Sequence, residues 1–562
     1  MTKKQTYSSQ EVSKFLSRAP SAVSAYISDL EQQVQNLSQI GLALSKERDM
    51  SKLLEMILLE AKRISNSDGG TLYMMTDDKR LKFEIMMTDS LNFHMGGTSG
   101  EEIPFYPVKL FEDNGEPNNS MVAAYVGLSG ETVNIQDADK AKGFDFSGTK
   151  MFDEKTGYHS KSFLTVPLKN HEDEIIGVLQ LLNAQTNKNK KIIEFSADIQ
   201  SKVEALASQA AVAITNKNLI KDLENLFESF IKLIASAIDA KSPYTGGHCE
   251  RVPEITMLLA EAVVKTKTGP FADFNLSDQE MYELKIAAWL HDCGKVATPE
   301  FVVDKSTKLE TIYDRIHEVE TRFSVLQRDR EILRLKKELS IERDSSLTVN
   351  QKNDKFKEIK SDYQKSIRQL KKDLSFVKES NIGGEFMSNE KKDRINEISN
   401  YKWKPNGKMQ NFLSENEVYN LTIPRGTLTP EERQVINDHI VVTINMLDEL
   451  PYPKHLKNIP EFAGGHHEKL DGTGYPKGLT KHEMSIQARI MAIADIFEAL
   501  TARDRPYKKG KTLSQAMRIL GFMKDDAHID VDLFDIFVKK KIYMKYAKGF
   551  LEPEQIDEVT FK

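Results

Sequence analysis

Five histidines and two aspartates between positions 248 and 495 of this chain stand in short apolar or glycine-rich contexts. Their types and settings are those of a metal centre. His291-Asp292-Cys293-Gly294-Lys295 closes an apolar stretch containing Leu284, Ile286, Ala287 and Leu290. An imidazole and a carboxylate side by side at a helix end can turn towards one ion, though a surface His–Asp hydrogen bond explains such a pair taken alone. His439 follows Thr429-Pro430-Glu431-Glu432, a capping box with proline at the first helical position. It shares a face with Ile436, Ile440, Thr443 and Leu447, where a lone histidine is more often a hydrogen-bonded core residue. In the run from His466-His467-Glu468 to Gly474-Tyr475-Pro476, two imidazoles precede a glycine-rich turn that lets backbone approach a ligand. Asp495 lies in Ile490-Met491-Ala492-Ile493-Ala494-Asp495-Ile496-Phe497, apolar nearly all round. A carboxylate there is costly unless it is paired or ligates a cation. His248 precedes a helical segment starting at Glu250-Arg251-Val252.

Taken together, these residues offer seven N and O donors: His248, His291, Asp292, His439, His466, His467 and Asp495. One tetrahedral zinc uses roughly four protein ligands, or three in a catalytic site. Seven donors suit two divalent ions sharing a bridging carboxylate. Imidazole with carboxylate fits iron, manganese, zinc or nickel rather than a thiolate-seeking ion. Two ions about 3.5–4 Å apart can clamp a phosphodiester.

The elements that must position these residues follow from pattern and composition. The 562 residues are long enough for roughly three to four domains. With 40% hydrophobic and 29% charged residues the chain reads as soluble and globular. A net charge of -6 gives no basic footprint for nucleic acid. No apolar run of about 18 residues suggests a membrane span, and no apolar segment after Met1 suggests a secretory signal. Two cysteines, Cys249 and Cys293, exclude a disulfide scaffold and fit a reducing cytoplasm; both read as buried filler.

The fold class expected is multidomain: an N-terminal α+β domain, a long connecting helix, and an all-α domain carrying an inserted helical hairpin. The boundaries expected are an N-terminal helical segment over 1–48, the α+β domain over 49–186, the connecting helix over 187–240, the first part of the all-α domain over 241–305, the insert and linker over 306–423, and the second part over 424–562. Strands are expected at Thr71–Met75, Leu81–Ile85, Ser162–Val166 and Ile175–Leu179, the last two as a hairpin across Asn170–Asp173. Ile220, Leu223, Phe227, Phe230 and Ile234 alternate three and four apart, as one amphipathic core helix or a dimerising coiled-coil seam would. In the insert, Leu309, Ile312, Ile316, Val319, Phe323 and Leu326 form one such repeat, and Phe356, Ile359, Tyr363, Ile367, Leu370, Leu374 and Val377 a looser one. An antiparallel hairpin breaking at Asp344-Ser345-Ser346 would bury both, with a flexible return from Gly383-Gly384.

At the histidine and aspartate motifs the chain resembles the HD-GYP family of the HD phosphohydrolases. The matching strings are Pro243-Tyr244-Thr245-Gly246-Gly247-His248-Cys249-Glu250-Arg251-Val252, the HDxGK pair, the HHExxDGxGYP run, and Asp495-Ile496-Phe497-Glu498-Ala499-Leu500-Thr501 with Arg505-Pro506-Tyr507. They cover roughly 225–305 and 424–550. The resemblance implies hydrolysis of cyclic di-GMP to pGpG or GMP, with the seven donors as ligands and Asp292 bridging. Lys295 would contact the scissile phosphate and help protonate the leaving oxygen. Arg505 and Lys508 would bind phosphate, and Gly474 and Tyr475 would shape the loop towards substrate or a partner such as a diguanylate cyclase. Tyr244 stands where some members carry a glutamate and a third metal, so two ions are expected. The insert after Lys305 lies outside the family core and could gate the site. Asn134-Ile135-Gln136-Asp137-Ala138, Phe152-Asp153-Glu154-Lys155-Thr156-Gly157-Tyr158 and Ser162-Phe163-Leu164-Thr165-Val166-Pro167 resemble a GAF sensor, which implies a small-molecule ligand and a homodimer, or dimerisation alone. The alternatives are another cyclic dinucleotide, such as cyclic GMP-AMP, or a catalytically silent scaffold.

Overall fold

The computed structural model describes residues 21–241, 247–384, 386–503 and 510–560, and the chain divides into two compact units, Met1–Leu226 and Phe227–Lys562. In the first unit, α1 (Ser21–Lys46) and α2 (Met50–Ser65) divide the N-terminal helical stretch. The break falls at Asp49, whose side chain accepts the Lys52 N–H at 2.9 Å and starts α2. Then come β1 (Ser67–Met75), β2 (Arg80–Thr88), β3 (Phe93–Gly96), β4 (Val108–Lys109), α3 (Val122–Ser129), β5 (Val133–Ile135), α4 (Ser147–Thr156), β6 (Phe163–Lys169), β7 (Ile175–Gln185) and β8 (Ile192–Ile193). They form one antiparallel sheet of order β3-β2-β1-β7-β6-β5, with β4 beside β2 and β8 beside β7. The expected hairpin is β6–β7, and all four expected strands run longer than their apolar kernels.

Alternation along the strands supplies both faces of this sheet. Leu72, Leu164, Leu179 and Leu181 pack against Ile57 and Leu58 of α2 and against Val203, Leu206 and Ile214 of α5 (Ala197–Lys241). Tyr73, Leu81 and Val178 face the opposite way, onto Ala124 and Val126 of α3. Helix α5 begins later than expected because β8 occupies 192–193.

The second unit is helical around one core. Ile231, Ala235 and Ile238 of α5 pack with Val252 and Leu259 of α6 (His248–Val264) and Leu284 and Ala287 of α7 (Asp278–Leu290). Phe227, expected in the exposed seam, also packs here, so the more exposed stripe of α5 is Leu219, Leu223, Leu226, Phe230 and Leu233. After α8 (Glu300–Val303) comes the insert, whose hairpin is α9 (Ile316–Arg343) and α10 (Val349–Ile382). It is antiparallel: Glu320 pairs with Lys378 at one end, Arg334 lies over Tyr363 further along, and Lys352 donates to the Glu342 carbonyl near the tip. The first repeat is shorter than expected. Ile312 is 93% exposed, because α9 begins only at Ile316, whose N–H donates to Asp314 at 2.9 Å.

The return is not the bare flexible link expected. It holds α11 (Asn389–Ser399), the strand pair β9 (Lys402–Trp403) and β10 (Gln410–Asn411), and α12 (Glu415–Leu421). Ile395, Ile398, Phe412 and Leu421 bury with Leu309, Ile316 and Phe323, giving the insert its own core. The all-α domain resumes with α13 (Pro430–Asn437), α14 (His439–Asp448), α15 (Ile459–Gly464), α16 (Ile486–Thr501), α17 (Leu513–Asp525), α18 (Val531–Lys539) and α19 (Ile542–Phe550). Lys305 ties the root of the insert to α13: its buried ammonium donates to Glu432 at 2.8 Å and to Asn420 at 3.0 Å.

Phe323 and Phe412 meet edge to face at 4.6 Å, both fully buried. Phe323→Ala should therefore destabilise the insert by about 3–5 kcal/mol. Amide exchange across 389–421 should accelerate in the variant; unchanged protection there would contradict a shared core.

Candidate metal centre

Three of the five histidines are aimed by the same local device. His291 caps the C-terminus of α7, His439 follows the end of α13, and His466 follows α15. In each case Nδ1–H donates to the carbonyl three residues back: Ala288 at 2.7 Å, Ile436, and Ala463 at 2.6 Å. A helix end leaves such carbonyls without partners. Satisfying one with Nδ1 fixes the tautomer and turns Nε2 away from the helix, ready to ligate. His439 was expected inside a continuous helix; instead the helix breaks at Asp438 and His439 opens α14. His248, the first residue of α6, is aimed by Glu498: its Nδ1 bonds Glu498 Oε2, while Arg251 Nε donates to Glu498 Oε1 at 2.6 Å.

The seven donor side chains converge. His248, His291 and Asp495 form one group, His291, Asp292 and His466 a second, and His439, His466 and His467 a third, with donor atoms in each within 4.8 Å of one another. His248 Nε2 lies 3.3 Å from Asp292 Oδ2 and 3.3 Å from Asp495 Oδ1, and His291 Nε2 lies 3.3 Å from Asp292 Oδ2. The other oxygen of Asp292 faces elsewhere: Oδ1 is 3.1 Å from His439 Nε2. Asp292 Oδ1, His439 Nε2 and His466 Nε2 are nevertheless buried without a hydrogen bond. Buried polar atoms left this way are expensive, and an all-nitrogen-and-oxygen set of this kind fits divalent cations. His467 stacks on Tyr475, ring centroids 4.9 Å apart.

Close backbone contacts hold these pieces together. Gly294 N–H donates to Thr443 Oγ1 at 2.9 Å, and a Cβ at Gly294 would fall 2.0 Å from the His439 carbonyl oxygen. The turn after Asp292 can thus sit directly on α14 only with glycine there. Glu468, almost wholly buried, accepts the N–H groups of Lys477 at 2.7 Å and Leu479 at 2.9 Å and so folds the Gly474–Pro476 loop back. A Cβ at Gly474 would lie 2.3 Å from Lys469 N. Glu498, Arg251, Glu468 and Thr443 are positioning residues that sequence reasoning left unassigned. Glu498 carried a signal, as a second carboxylate in the apolar helix of Asp495. Arg505, Lys508 and Tyr244 lie outside the described residues.

Electrostatics divide the site. Burial pushes His466 well below the ordinary imidazole range, helped by His467 and His291, and brings His467 down to about 4. Burial opposes charge on Asp292, but Lys295 and His291 outweigh it and hold the carboxylate well below its usual range. Burial likewise opposes charge on Asp495, where the His248 hydrogen bond prevails. On His248 the neighbouring Glu498, Asp292 and Asp495 carboxylates overcome burial and raise the imidazole. Lys295, whose ammonium donates to Asp292 Oδ2, is raised by that carboxylate against burial. Both cysteines are buried, and burial pushes the Cys293 thiol up to about 11.

In metal-stripped protein the unfolded chain protonates His466 and His467 as pH falls below 6.5, whereas folded His467 stays neutral down to about 4 and burial lowers folded His466 in the same direction. The unfolded state then binds more protons, so stability falls with pH across that window. Thermal melts of stripped protein should show this loss, shallower in His467→Gln. An equal slope in the variant would contradict the burial account.

Comparison with known proteins places both units. A GAF domain family model matches residues 49–214, and an HD domain family model matches residues 415–533. The 3'3'-cGAMP-specific phosphodiesterase 3 of Vibrio cholerae serotype O1 is 38% identical over 107 residues, 19% of this chain and 22% of that protein. The cyclic di-GMP phosphodiesterase of Thermotoga maritima is 42% identical over 93 residues, 16% of this chain and 25% of that protein. The probable cyclic di-GMP phosphodiesterase of Vibrio cholerae serotype O1 is 32% identical over 141 residues, 24% of this chain and 32% of that protein. The matches span no more than 32% of any of these relatives. The chain thus carries a GAF domain followed by an HD domain.

Proposed function

We propose that the second unit is a metal-dependent phosphodiesterase that hydrolyses cyclic di-GMP to pGpG or GMP. The observation that carries this reading is Asp292, one buried carboxylate whose two oxygens face different imidazoles. In this reading His248, His291, Asp292 and Asp495 hold one divalent cation, and Asp292, His439, His466 and His467 hold a second, with iron or manganese foremost. When bound, such cations supply Lewis-acid charge to a phosphodiester and to an attacking water. Lys295 binds the scissile phosphate, stabilises the charge that develops on it, and delivers a proton to the leaving oxygen. The Lys295 side chain is about a quarter exposed, which leaves it open to an approaching phosphate while Asp292 holds its ammonium in place. Arg505 and Lys508 bind further phosphate oxygens, and the loop of Gly474 and Tyr475 borders the substrate or a signalling partner.

Regulation falls to the first unit, through a small molecule bound in the GAF domain. A cavity of about 240 Å³ lined by Ala138, Phe146, Lys150, Asp153 and His159 supports that role. The stripe Leu219, Leu223, Leu226, Phe230 and Leu233 alternates four and three apart and is more than half exposed, which supports a homodimer through α5. No helix among the described residues is long and apolar enough to cross a membrane, and two buried free cysteines suit a cytoplasmic setting. A second reading, cyclic GMP-AMP as substrate, is favoured by the names of two relatives, the 3'3'-cGAMP-specific phosphodiesterases 1 and 3 of Vibrio cholerae.

Turnover of both dinucleotides by full-length protein, beside Asp292→Ala, tests this assignment. Hydrolysis of cyclic di-GMP by the native chain and a folded, inactive variant are expected. Turnover of cyclic GMP-AMP alone moves the substrate, and inactivity on both removes the hydrolase.

A further inference from the structure

The last turn of α5 reaches two pieces of the site at once. Asp239, buried, accepts the backbone N–H of Gly247 at 2.9 Å, the residue that precedes His248. Lys241, the final residue of α5, donates from Nζ to the carbonyl oxygens of Lys295 at 3.2 Å, of Thr298 at 2.7 Å, and of Val296. These carbonyls belong to the 3-10 turn Cys293–Ala297 and the residue that caps it. The Lys295 carbonyl also accepts the Thr298 N–H at 3.1 Å, and at the end of such a turn an ammonium is favoured both as a further donor and as a charge on the negative end of the turn dipole. An ammonium has three N–H donors, so three carbonyls occupy it fully. The clamp and the phosphate-facing side chain therefore meet in one residue: Lys241 holds the main chain of Lys295 while Asp292 holds its ammonium.

We propose that Lys241 is a positioning residue for Lys295, and that the end of α5 is where movement of the connecting helix reaches the catalytic turn. Displacing the helix end pulls on the Lys295 carbonyl directly, and through Asp239 on the backbone that leads into His248. The ligand set itself is untouched by Lys241, so the consequence is a misplaced ammonium rather than a lost cation. This rests on the phosphodiesterase reading for its rate readout but not for its structural one.

The test uses full-length Lys241→Met and Lys241→Arg beside the native chain. In Lys241→Met, kcat should fall by about 10²-fold, the effect of a small misplacement of a catalytic group, with metal content unchanged. Amides of residues 293–298 should exchange faster in that variant. Lys241→Arg, whose guanidinium can also donate to several carbonyls, should recover most of the rate and protection. An unchanged kcat, or a fall matched by equal loss of metal, overturns the proposal. If the native chain turns over neither dinucleotide, the phosphodiesterase reading fails by itself. The exchange arm still decides the clamp, and unaltered protection at 293–298 overturns it.

Discussion

Burying Asp292 among imidazoles in an apolar helical core is the constraint on which the rest of the second unit depends. A carboxylate that is only 2% exposed cannot stand alone without a large desolvation cost. Its neighbours divide that cost. Lys295 and His291 supply charge on one side, while His439 faces the second oxygen from the other. What remains uncompensated is as informative as what is paired. Asp292 Oδ1 and the Nε2 atoms of His439 and His466 lie within the protein with no hydrogen bond.

The fold meets this constraint with helix ends rather than helix faces. Three imidazoles donate to carbonyls at the ends of α7, α13 and α15, so the features that stop these helices also aim their rings. Glycines set the distances between the pieces. Gly294 lets the turn after Asp292 touch α14, and Gly474 lets the following loop fold onto Glu468. Carboxylates outside the seven converging side chains, Glu498 and Glu468, then fix His248 and that loop.

Much of this was legible in the sequence because the chemistry is local. A histidine beside an aspartate, two adjacent histidines before glycines, and an aspartate in an apolar helix each identify themselves, and the seven side chains so chosen are brought together. The strand kernels and the β6–β7 hairpin were readable from their alternation. What escaped depends on tertiary distance. Glu498 was visible as a buried charge, but its partner His248 lies 250 positions away. Helix α13 looked continuous with α14 because the apolar period runs through Asp438 unbroken. The insert's return looked flexible because Ile395, Ile398, Phe412 and Leu421 are too sparse to announce a core until α9 and α10 cover them. The repeat at Leu309 and Ile312 kept the right period outside any helix, and only Leu309 is buried.

The most direct measurement of the central claim is anomalous diffraction from protein purified without added metal, combined with elemental analysis. Two peaks flanking Asp292, one beside His248, His291 and Asp495 and the other beside His439, His466 and His467, with two equivalents of a divalent ion per chain, are predicted. A single peak away from Asp292, or metal-free protein that binds none when divalent ions are supplied, would contradict the account.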